Sequence, residues 1–429
     1  MRLLNADRRP PKRVVALAAA VASGAVLVAA SAQADFTLTS CGGSNIAGTG
    51  SSLQNVAQKN LWSGTAANEF NSADGCPGKV VSYNPGSASG SGAGRKAMGG
   101  VDGDRSSVTN NPDGSRFGGT DEPPTPTEQA NMNAGNPAVT ADNGTIHVIP
   151  VATAAMTAVV NLPATCVGKG TNRDASGRLQ ITGDKLVKAF SNVAGGQTWG
   201  DLIQGLSGVG DDADCAAQPI HRIVRQDVSG STFAFKSYLN KVAGSEAFSI
   251  SSNQAWPNGT VTAVSSGACT TSVCSGPASG GGNLRTLLNN TPGGIGYLAL
   301  SDARSGYDYD GGSDAKYWLP IEKIDHSSYI EPTADVNGYR SATWVTNHPG
   351  DAAGQLGSNC SGINPTGIPA GADPTTGDWT AVDPSGGAGY PACTFTYVIA
   401  FDDDAPVWGA SDTEEAKART VKDYLTYVT

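Results

Sequence analysis

Segments with the pattern of β-strands alternate with segments that have helical periodicity, and this alternation constrains the fold more than any other feature. The strand candidates are short apolar runs rich in β-branched residues, at 79–83, 147–161, 220–226, 295–300 and 394–401. The segment 147–161 is long enough for two strands or for one long crossing strand. The helix candidates carry apolar residues three and four positions apart, at 52–62, 184–190, 233–242 and 412–428. The alternation predicts an α/β fold.

The first 34 residues have the pattern of a secretory signal peptide. Five basic residues precede an apolar run over residues 14–30, and Ala-Gln-Ala at 32–34 is a typical cleavage site. An alternative, a lipoprotein acylation site at 38–41, fits less well because Asp35 separates it from the apolar run. No later stretch is apolar and long enough to cross a bilayer. We therefore expect an exported protein, periplasmic or secreted, without a lipid anchor.

The charge balance limits the partners of the exported chain. Removal of residues 1–34 takes five of the 28 basic and one of the 38 acidic residues, which leaves 23 against 37, a net charge of −14. This acidic balance argues against nucleic acids and anionic membrane surfaces as partners. A small anionic ligand needs only a local positive site and is not excluded.

All eight cysteines follow the signal peptide, at 41, 76, 166, 215, 269, 274, 360 and 393. An even number of cysteines in an exported chain predicts four disulfides, although the sequence does not fix their pairing. Cys269 and Cys274, which flank a short loop, are one expected pair. A zinc site is the weaker interpretation because no C-x-x-C pair or histidine pair accompanies the cysteines.

The length of the exported chain, about 395 residues, exceeds what one hydrophobic core supports and predicts two domains. Glycine is abundant, with 56 residues, and charged residues make up only 15% of the chain. We expect long exposed loops and not disorder, because strand-like runs recur throughout. The loops are expected at 101–115, 259–282 and 350–389.

The segment "RQDVSGSTFAFKSYLNKV" (225–242) combines an Arg–Asp pair, a Ser-Gly-Ser turn and an amphipathic helix. Ser229 or Ser231 is the expected N-cap of this helix. The free backbone amides of a first helical turn also suit an anion, Gly230 allows close approach, and Arg225 supplies a charged planar donor. The alternative is an ordinary capped helix with a surface ion pair.

Three other segments have a similar character. "GTGSSLQNVAQ" (48–58) and "ASGSGAGRKAM" (88–98) are Gly/Ser turns that lead into helices, and "RFGGTDEP" (116–123) ends a strand-like piece at Thr120-Asp121. Each is weak alone. Four such turns in one exported α/β chain are more specific for an anion site.

The order of these motifs resembles that of the phosphate-binding proteins of phosphate ABC transporters, which belong to the type II periplasmic-binding-protein family. The resemblance continues through "PVATAAMTAVVNLP", "ITGDKLVKAF", "AWPNG", "TPGGIGYLAL" and "TFTYVIAF" and covers most of the exported chain. It implies two lobes with a ligand cleft between them. The first lobe would comprise 35–150 and 295–429, and the second 151–294, with hinge crossings near 149–157 and 293–300.

The resemblance also implies a set of phosphate ligands and no cofactor. Arg225 corresponds to the ligand-binding guanidinium and Asp227 to the acid that holds it. Asp121 corresponds to a carboxylate that faces the ligand. A carboxylate beside an anion is repulsive unless the ligand donates a proton, so this position favours phosphate or arsenate over sulfate. The complete implied set is Ser52, Leu53, Ser91, Asp121, Arg225, Asp227, Ser229, Gly230 and Ser231.

This sequence departs from the family pattern in some features. Leu53 replaces a phenylalanine, a Gly/Asp-rich insertion separates Ser91 from Asp121, and other long insertions carry cysteines. We expect a monomeric receptor for inorganic phosphate that serves an ABC permease. A secreted adhesion or scaffold protein on the same fold is the alternative.

A secreted phosphoester hydrolase is a further, less favoured alternative. It would need a nucleophile with a base or a two-metal site. The four histidines are scattered without metal-ligand spacing, at His147, His221, His326 and His348. Asp308, Asp310 and Asp314 form an acidic loop that could hold calcium, although a solvated loop suits its incomplete ligand set better. We therefore expect no catalytic residue and no metal.

Overall fold

A ten-stranded mixed sheet runs through the part of the chain that the computed structural model describes. All of the described residues belong to one compact unit. The sheet has helices packed on it, which confirms the predicted α/β class. The described residues are 43–64, 70–71, 80–86, 90–138, 144–244, 247–249, 255–276, 280–304, 309, 313–333, 360 and 389–428.

Twelve strands lie in the described residues: β1 Ile46–Gly50, β2 Val81–Tyr83, β3 Phe117–Thr120, β4 Ile146–Asn161, β5 His221–Ile223, β6 Thr262–Ala263, β7 Val273–Ser275, β8 Gly294–Ala299, β9 Lys316–Trp318, β10 Ile321–Glu322, β11 Tyr329–Ile330 and β12 Cys393–Phe401. The strands of the large sheet follow the order β2-β1-β3-β12-β4-β8-β5-β7-β6, and β9 pairs with β4 outside this order. The pairs among β1, β2 and β3 are parallel, as are those among β5, β6, β7 and β8, whereas β12 and β4 run antiparallel to their neighbours. The strands β10 and β11 form a separate pair.

The helices range from single turns to a helix of 17 residues at the C-terminal end. A 3₁₀ turn, Ala164–Cys166, follows β4. The α-helices are α1 Asn55–Ala57, α2 Ser91–Ala97, α3 Pro126–Ala134, α4 Gly183–Ser191, α5 Trp199–Leu202, α6 Asp211–Ala217, α7 Gly230–Ala243, α8 Gly281–Asn289, α9 Leu300–Arg304, α10 Ala405–Trp408 and α11 Asp412–Val428.

Strand β4 connects two sections of the sheet. Nine of its first ten residues pair with β12, from Ile146 opposite Phe401 to Ala155 opposite Cys393, and Val151 is left out at a shift in register. Its last six residues pair with β8, from Met156 to Asn161. Of the two alternatives for 147–161, the single crossing strand is therefore correct.

The hydrophobic core changes along β4. The second half of β4 belongs to a large cluster with α4, α7 and β8. In that cluster the Phe235 ring stacks on Tyr297, and Phe190 meets Phe235 edge-on. The section with β1, β3 and β12 has two smaller clusters, one around Phe117 and Tyr424 and one around methionine side chains. The lobe boundaries expected from the sequence remain a prediction.

Helix α7 begins three residues before and ends one residue after its predicted range of 233–242, and its N-cap is one of the two serines expected. Ser229 is the N-cap, since its hydroxyl accepts the N–H of Thr232 at 3.4 Å. Gly244 ends the helix in the left-handed region with φ 59°. Helix α11 also matches its predicted range, and at its beginning the Ser411 hydroxyl accepts the N–H of Glu414 at 3.4 Å.

The predicted helix at 52–62 is shorter and less regular than its periodicity indicates. Regular α-helix covers only Asn55–Ala57, and a π-helical turn, Gln58–Trp62, follows it. The Gln58 carbonyl explains the wider turn, because it accepts both the N–H and the hydroxyl of Ser63, five residues on. The strand predicted at 220–226 is also shorter, because the chain leaves β5 after Ile223.

Three disulfides lie in the described residues. Cys269–Cys274 confirms the expected pair, and Cys166–Cys215 and Cys360–Cys393 are the others. Cys41 and Cys76, like the predicted signal peptide and the acylation site, lie outside the described residues. Within those residues no helix has the length and hydropathy that a membrane span requires.

Candidate functional site

The hydroxyl of Ser91 joins three segments that are far apart in the sequence. Ser91 is the first residue of α2, and its hydroxyl donates to Asp121 Oδ2 at 3.2 Å. The same oxygen accepts the N–H of Asp121 at 3.0 Å and the N–H of Gly230 at 3.2 Å. A Cβ on Gly230 would lie 2.3 Å from Asp121 Cβ, so this approach requires glycine. The end of β3 and the beginnings of α2 and α7 therefore meet at one point.

The Asp121 carboxylate is buried, with 2% of the residue exposed, and is surrounded by hydroxyl donors. Ser51 Oγ lies 2.5 and 2.6 Å from its two oxygens, and Thr396 Oγ1 lies 2.7 Å from Oδ1. The pKa of Asp121 is raised: burial, the largest cause, outweighs the hydrogen bonds from Ser51, Thr396 and Ser91 and the charge of Arg225, which lower it. Each of these donors favours the ionised acid.

Arg225 is held in place by Asp227. Arg225 Nε donates to Asp227 Oδ1 at 2.8 Å, and Nη2 donates to Oδ2. Burial acts to lower the pKa of Arg225, but its hydrogen bonds with Asp227 and the negative charges nearby outweigh burial, so the pKa is raised. Arg225 Nη1 reaches Ser52 Oγ at 3.4 Å. The guanidinium therefore remains charged and faces the turn after β1.

The Arg225–Asp227 pair lies beside the turn before α2. A Cβ on Gly90 would be 3.0 Å from Asp227 Oδ2 and 3.6 Å from Arg225 Nη2. Gly90 precedes Ser91, so the ion pair and the Asp121 carboxylate flank the beginning of α2. On the other side, a Cβ on Gly280, before α8, would be 3.8 Å from Ser52 Cβ.

The structure thus brings the residues expected from the sequence into one site. Some of their polar groups form hydrogen bonds within the protein. The Leu53 N–H donates to Ser51 Oγ at 3.1 Å, and the Ser229 hydroxyl caps α7. Gly230 and Ser231 are buried in the first turn of α7. The beginnings of α2, α7 and α8 place positive helix-dipole ends around the site, which is favourable for an anion.

Sequence reasoning missed several side chains of this site. Ser51 stands next to the expected Ser52, and its hydroxyl in the "GTGSSLQ" turn was a usable signal. Thr396 is 275 positions from Asp121, and only the sheet pairing brings it close. Tyr297, on β8, accepts the N–H of Arg225 at 3.1 Å, and its hydroxyl forms a hydrogen bond of 2.6 Å with the Thr232 hydroxyl, in which either group can donate.

Asp302, on α9, is a further acidic group of the site. Burial raises its pKa to about 6; the charges of Arg225 and Arg285 lower it and that of Asp121 raises it. Its carboxylate lies on the first turn of α8, where a Cβ on Gly281 would be 1.7 Å from Oδ2. No local pattern in the sequence distinguishes it.

The possible metal ligands considered from the sequence are other residues than those of this anion site. Within the described ranges, no group of three or more His, Cys, Asp or Glu side chains is placed to hold a metal ion. Asp308 and Asp310 of the acidic loop lie outside the described residues, and Asp314 is exposed. The expectation of a solvated loop without a metal, with calcium as its alternative, stays a prediction.

Comparison with known proteins gives the family. A family model described as a PBP superfamily domain matches residues 29–429, and the chain belongs to this superfamily. No curated protein matches the sequence.

Three solved structures have a similar fold. One is a phosphate-binding protein from Stenotrophomonas maltophilia, with 19% identity, a TM-score of 0.54, and coverage of 89% of this chain and 83% of that chain. Another is a DING protein, with 18% identity, a TM-score of 0.52, and coverage of 89% and 85%. The third is an ancestral soluble variant of the Human Phosphate Binding Protein, with 18% identity, a TM-score of 0.51, and coverage of 89% and 85%.

Proposed function

We propose that this protein is an extracytoplasmic solute-binding protein that binds inorganic phosphate in a cleft between two lobes. The observation that carries the proposal is the position of the Asp121 carboxylate beside Arg225 and the first turn of α7. Structures of similar fold whose names describe them as phosphate-binding proteins support it.

The positive part of the site supports an anion as the ligand. A dehydrated oxyanion needs its lone pairs matched by donors, or its desolvation costs several kcal/mol. The guanidinium of Arg225, the hydroxyl of Ser52 and the Ser231 amide in the first turn of α7 are such donors. The Ser91 hydroxyl and the N–H groups of Gly230 and Thr232 have partners within the protein and would exchange them for the ligand. We assign the ligand contacts to the nine residues that the resemblance implies, with Asp227 acting through Arg225.

The negative part of the site supports phosphate over sulfate. Asp121 accepts hydrogen bonds from Ser51, Ser91 and Thr396, which favours its ionised form. An ionised carboxylate repels a fully deprotonated anion and accepts a hydrogen bond from a protonated one. Phosphate carries one or two protons near neutral pH and sulfate carries none. Arsenate has protonation similar to that of phosphate and belongs to the same class.

The two lobes would close around the ligand by a hinge at the crossing strands. We place the lobes at 35–150 with 295–429 and at 151–294, as the resemblance implies. Support comes from β4, which pairs with β12 in its first part and with β8 in its second. The three hydrophobic clusters also separate along this strand. Hinge closure of this kind is a common way to enclose a small ligand.

The physiological role that follows is uptake of phosphate, with delivery to an ABC permease. It requires export through the signal peptide at residues 1–34 and no covalent chemistry, so the proposed protein is not an enzyme. An adhesion or scaffold protein on the same fold would lack ligand binding.

Titration calorimetry of the phosphate-stripped protein tests the proposal. The expected result is one-to-one binding of phosphate, competition by arsenate, and far weaker binding of sulfate. If a folded sample gives no heat with phosphate, the proposal is wrong and the scaffold alternative gains support. Steady turnover of a phosphoester that is lost in an Arg225→Ala variant would instead favour the hydrolase.

A further inference from the structure

A chain of buried hydrogen bonds leads from the C-terminal helix α11 to the Asp121 carboxylate. The Tyr424 hydroxyl contacts Oε1 of Gln58, and Gln58 Nε2 lies 2.9 Å from Gln54 Oε1. Gln54 Nε2 lies 2.6 Å from Thr396 Oγ1. The Thr396 hydroxyl in turn lies 2.7 Å from Asp121 Oδ1. All five side chains are buried, so each depends on its neighbours for hydrogen-bond partners.

One backbone carbonyl fixes the direction of every donor in this chain. Gln54 Nε2 also lies 2.8 Å from the carbonyl oxygen of Tyr397, an atom that can only accept, so the nitrogen of this amide points toward β12. Gln54 Oε1 then accepts from Gln58, which leaves Gln58 Oε1 to accept the phenol proton of Tyr424. Thr396 accepts from Gln54 and has one proton to donate; Asp121 Oδ1, at 2.7 Å, is the nearer of its two acceptors, since the Thr120 carbonyl oxygen lies 3.4 Å away.

We propose that Thr396, Gln54, Gln58 and Tyr424 hold Asp121 as an ionised hydrogen-bond acceptor, and that this chain sets the preference of the site for a protonated oxyanion. The selectivity part of this inference rests on the proposed phosphate function. Aligned donors polarise one another in a medium of low dielectric constant, and each favours the charged form of the acid at the end. Without them, a desolvated carboxyl group takes up a proton, becomes a donor and accommodates sulfate.

The hydrogen-bond chain matters for the ionisation of Asp121 because the other groups around this carboxylate have opposing effects on its pKa. Arg225, Asp302 and Tyr83 are the titratable groups that face Asp121 among the described residues. The charge of Arg225 favours the ionised carboxylate, whereas that of Asp302 opposes it. Burial raises the pKa of Tyr83 well above its ordinary value, so Tyr83 stays neutral. Burial of Asp121 also favours its protonated form and raises its pKa on balance, so the hydroxyl donors limit this rise and their loss should increase it.

Strand β12 provides a matched pair of variants. Thr396 donates to the carboxylate, whereas Thr394, two positions earlier and equally buried, donates to the backbone carbonyl of Asp121 at 2.9 Å. We expect Thr396→Val to raise the pKa of Asp121 by about 1, as for loss of one hydrogen bond to a charged group, and Thr394→Val to leave it unchanged. Carboxyl ¹³C NMR titration of the ligand-free protein measures this pKa.

The end of the hydrogen-bond chain that lies farthest from Asp121, at Tyr424, is tested by a separate variant. Tyr424→Phe removes a donor but keeps the ring, and it is expected to raise the Asp121 pKa by less than Thr396→Val does. Equal pKa values in Tyr424→Phe and the parent would contradict a chain that extends to α11. An unchanged pKa in Thr396→Val, or the same rise in Thr394→Val, would overturn the whole inference.

Calorimetry tests whether the hydrogen-bond chain affects the selectivity of the site for phosphate over sulfate. At pH 6, Thr396→Val is expected to lower the ratio of phosphate affinity to sulfate affinity by about tenfold, because a rise of 1 in the pKa is a tenfold change in protonation. An unchanged ratio together with a shifted pKa would refute the role in selectivity. A parent protein that binds no phosphate would refute the proposed function, and with it the role in selectivity; the NMR titration would still test the hydrogen-bond chain.

Discussion

The Ser51 hydroxyl lies 2.5 and 2.6 Å from the two carboxylate oxygens of Asp121, a residue 70 positions away in the chain. This contact joins the turn after β1 to the turn after β3. Together with Ser91 and Thr396 it fixes the orientation of the carboxylate. A ligand that enters the site therefore meets Asp121 as a fixed acceptor, beside the charged donor Arg225.

The first prediction concerns Arg225. Arg225→Ala removes a charged donor and leaves the Asp227 carboxylate without its partner, so phosphate affinity should fall by about 2–5 kcal/mol, or roughly 30-fold or more. Calorimetry measures the loss. Arg419→Ala is the control, because Arg419 pairs with Glu415 on the exposed face of α11. Equal affinities for the two variants would place the anion site elsewhere.

The second prediction concerns the buried charges beside Asp121. Arg95 contacts Glu122 at 3.0 Å and Glu128 at 2.9 Å, and only 2% of its side chain is exposed. Arg95→Met leaves the two carboxylates without this partner and should reduce the free energy of unfolding by about 3–5 kcal/mol. Urea denaturation measures it. The neighbouring Lys96→Met, at a half-buried position, should change little. A similar loss in both variants would argue against the ion pairs as the cause.

The third prediction concerns Tyr297. Tyr297→Phe removes the acceptor for the N–H of Arg225 and the partner of the Thr232 hydroxyl. The unfolding free energy should fall by about 1–3 kcal/mol because buried donors lose their partner. Tyr329→Phe, on a half-buried strand, is the control in the same denaturation experiment. No difference between these variants would show that water replaces the phenol.

The fourth prediction concerns pH. Burial raises the pKa of Asp404 to about 6, with the charges of Arg116 and Arg105 opposing it. The folded state then binds more protons than the unfolded state between the ordinary carboxyl pKa and about 6. The contribution of Asp404 to stability is therefore fully present at low pH and lost as the pH rises through 6.

The variant Asp404→Asn isolates this contribution. Its stability relative to the parent should increase between pH 4 and pH 7, as measured by urea denaturation at several pH values. A difference between variant and parent that does not change with pH would contradict a raised pKa at this position.

The sequence predicted those parts of the fold and site that depend on neighbouring residues. Helix α7, its Ser229 cap and its Gly244 end follow from residues within a few positions of one another. The Arg225–Asp227 pair is similarly local, and the family resemblance added Ser91 and Asp121.

The features that sequence reasoning missed depend on contacts between distant segments. Thr396 and Asp302 reach the site through strand pairing and helix packing, which no local pattern encodes. The alternatives for 147–161 stayed open because strand propensity does not say how many partners a strand has. The π-helical turn after α1 depends on the contact of Ser63 with the Gln58 carbonyl, which helical periodicity does not reveal.

The central claim is that Asp121 selects a protonated oxyanion, and an Asp121→Asn variant tests it most directly. Phosphate and sulfate titrations of the parent and this variant, at the same pH, give the ratio of the two affinities. We predict a large ratio for the parent and a much smaller one for Asp121→Asn, because an amide can donate to sulfate as well as accept from phosphate. Equal ratios in the two proteins would contradict it.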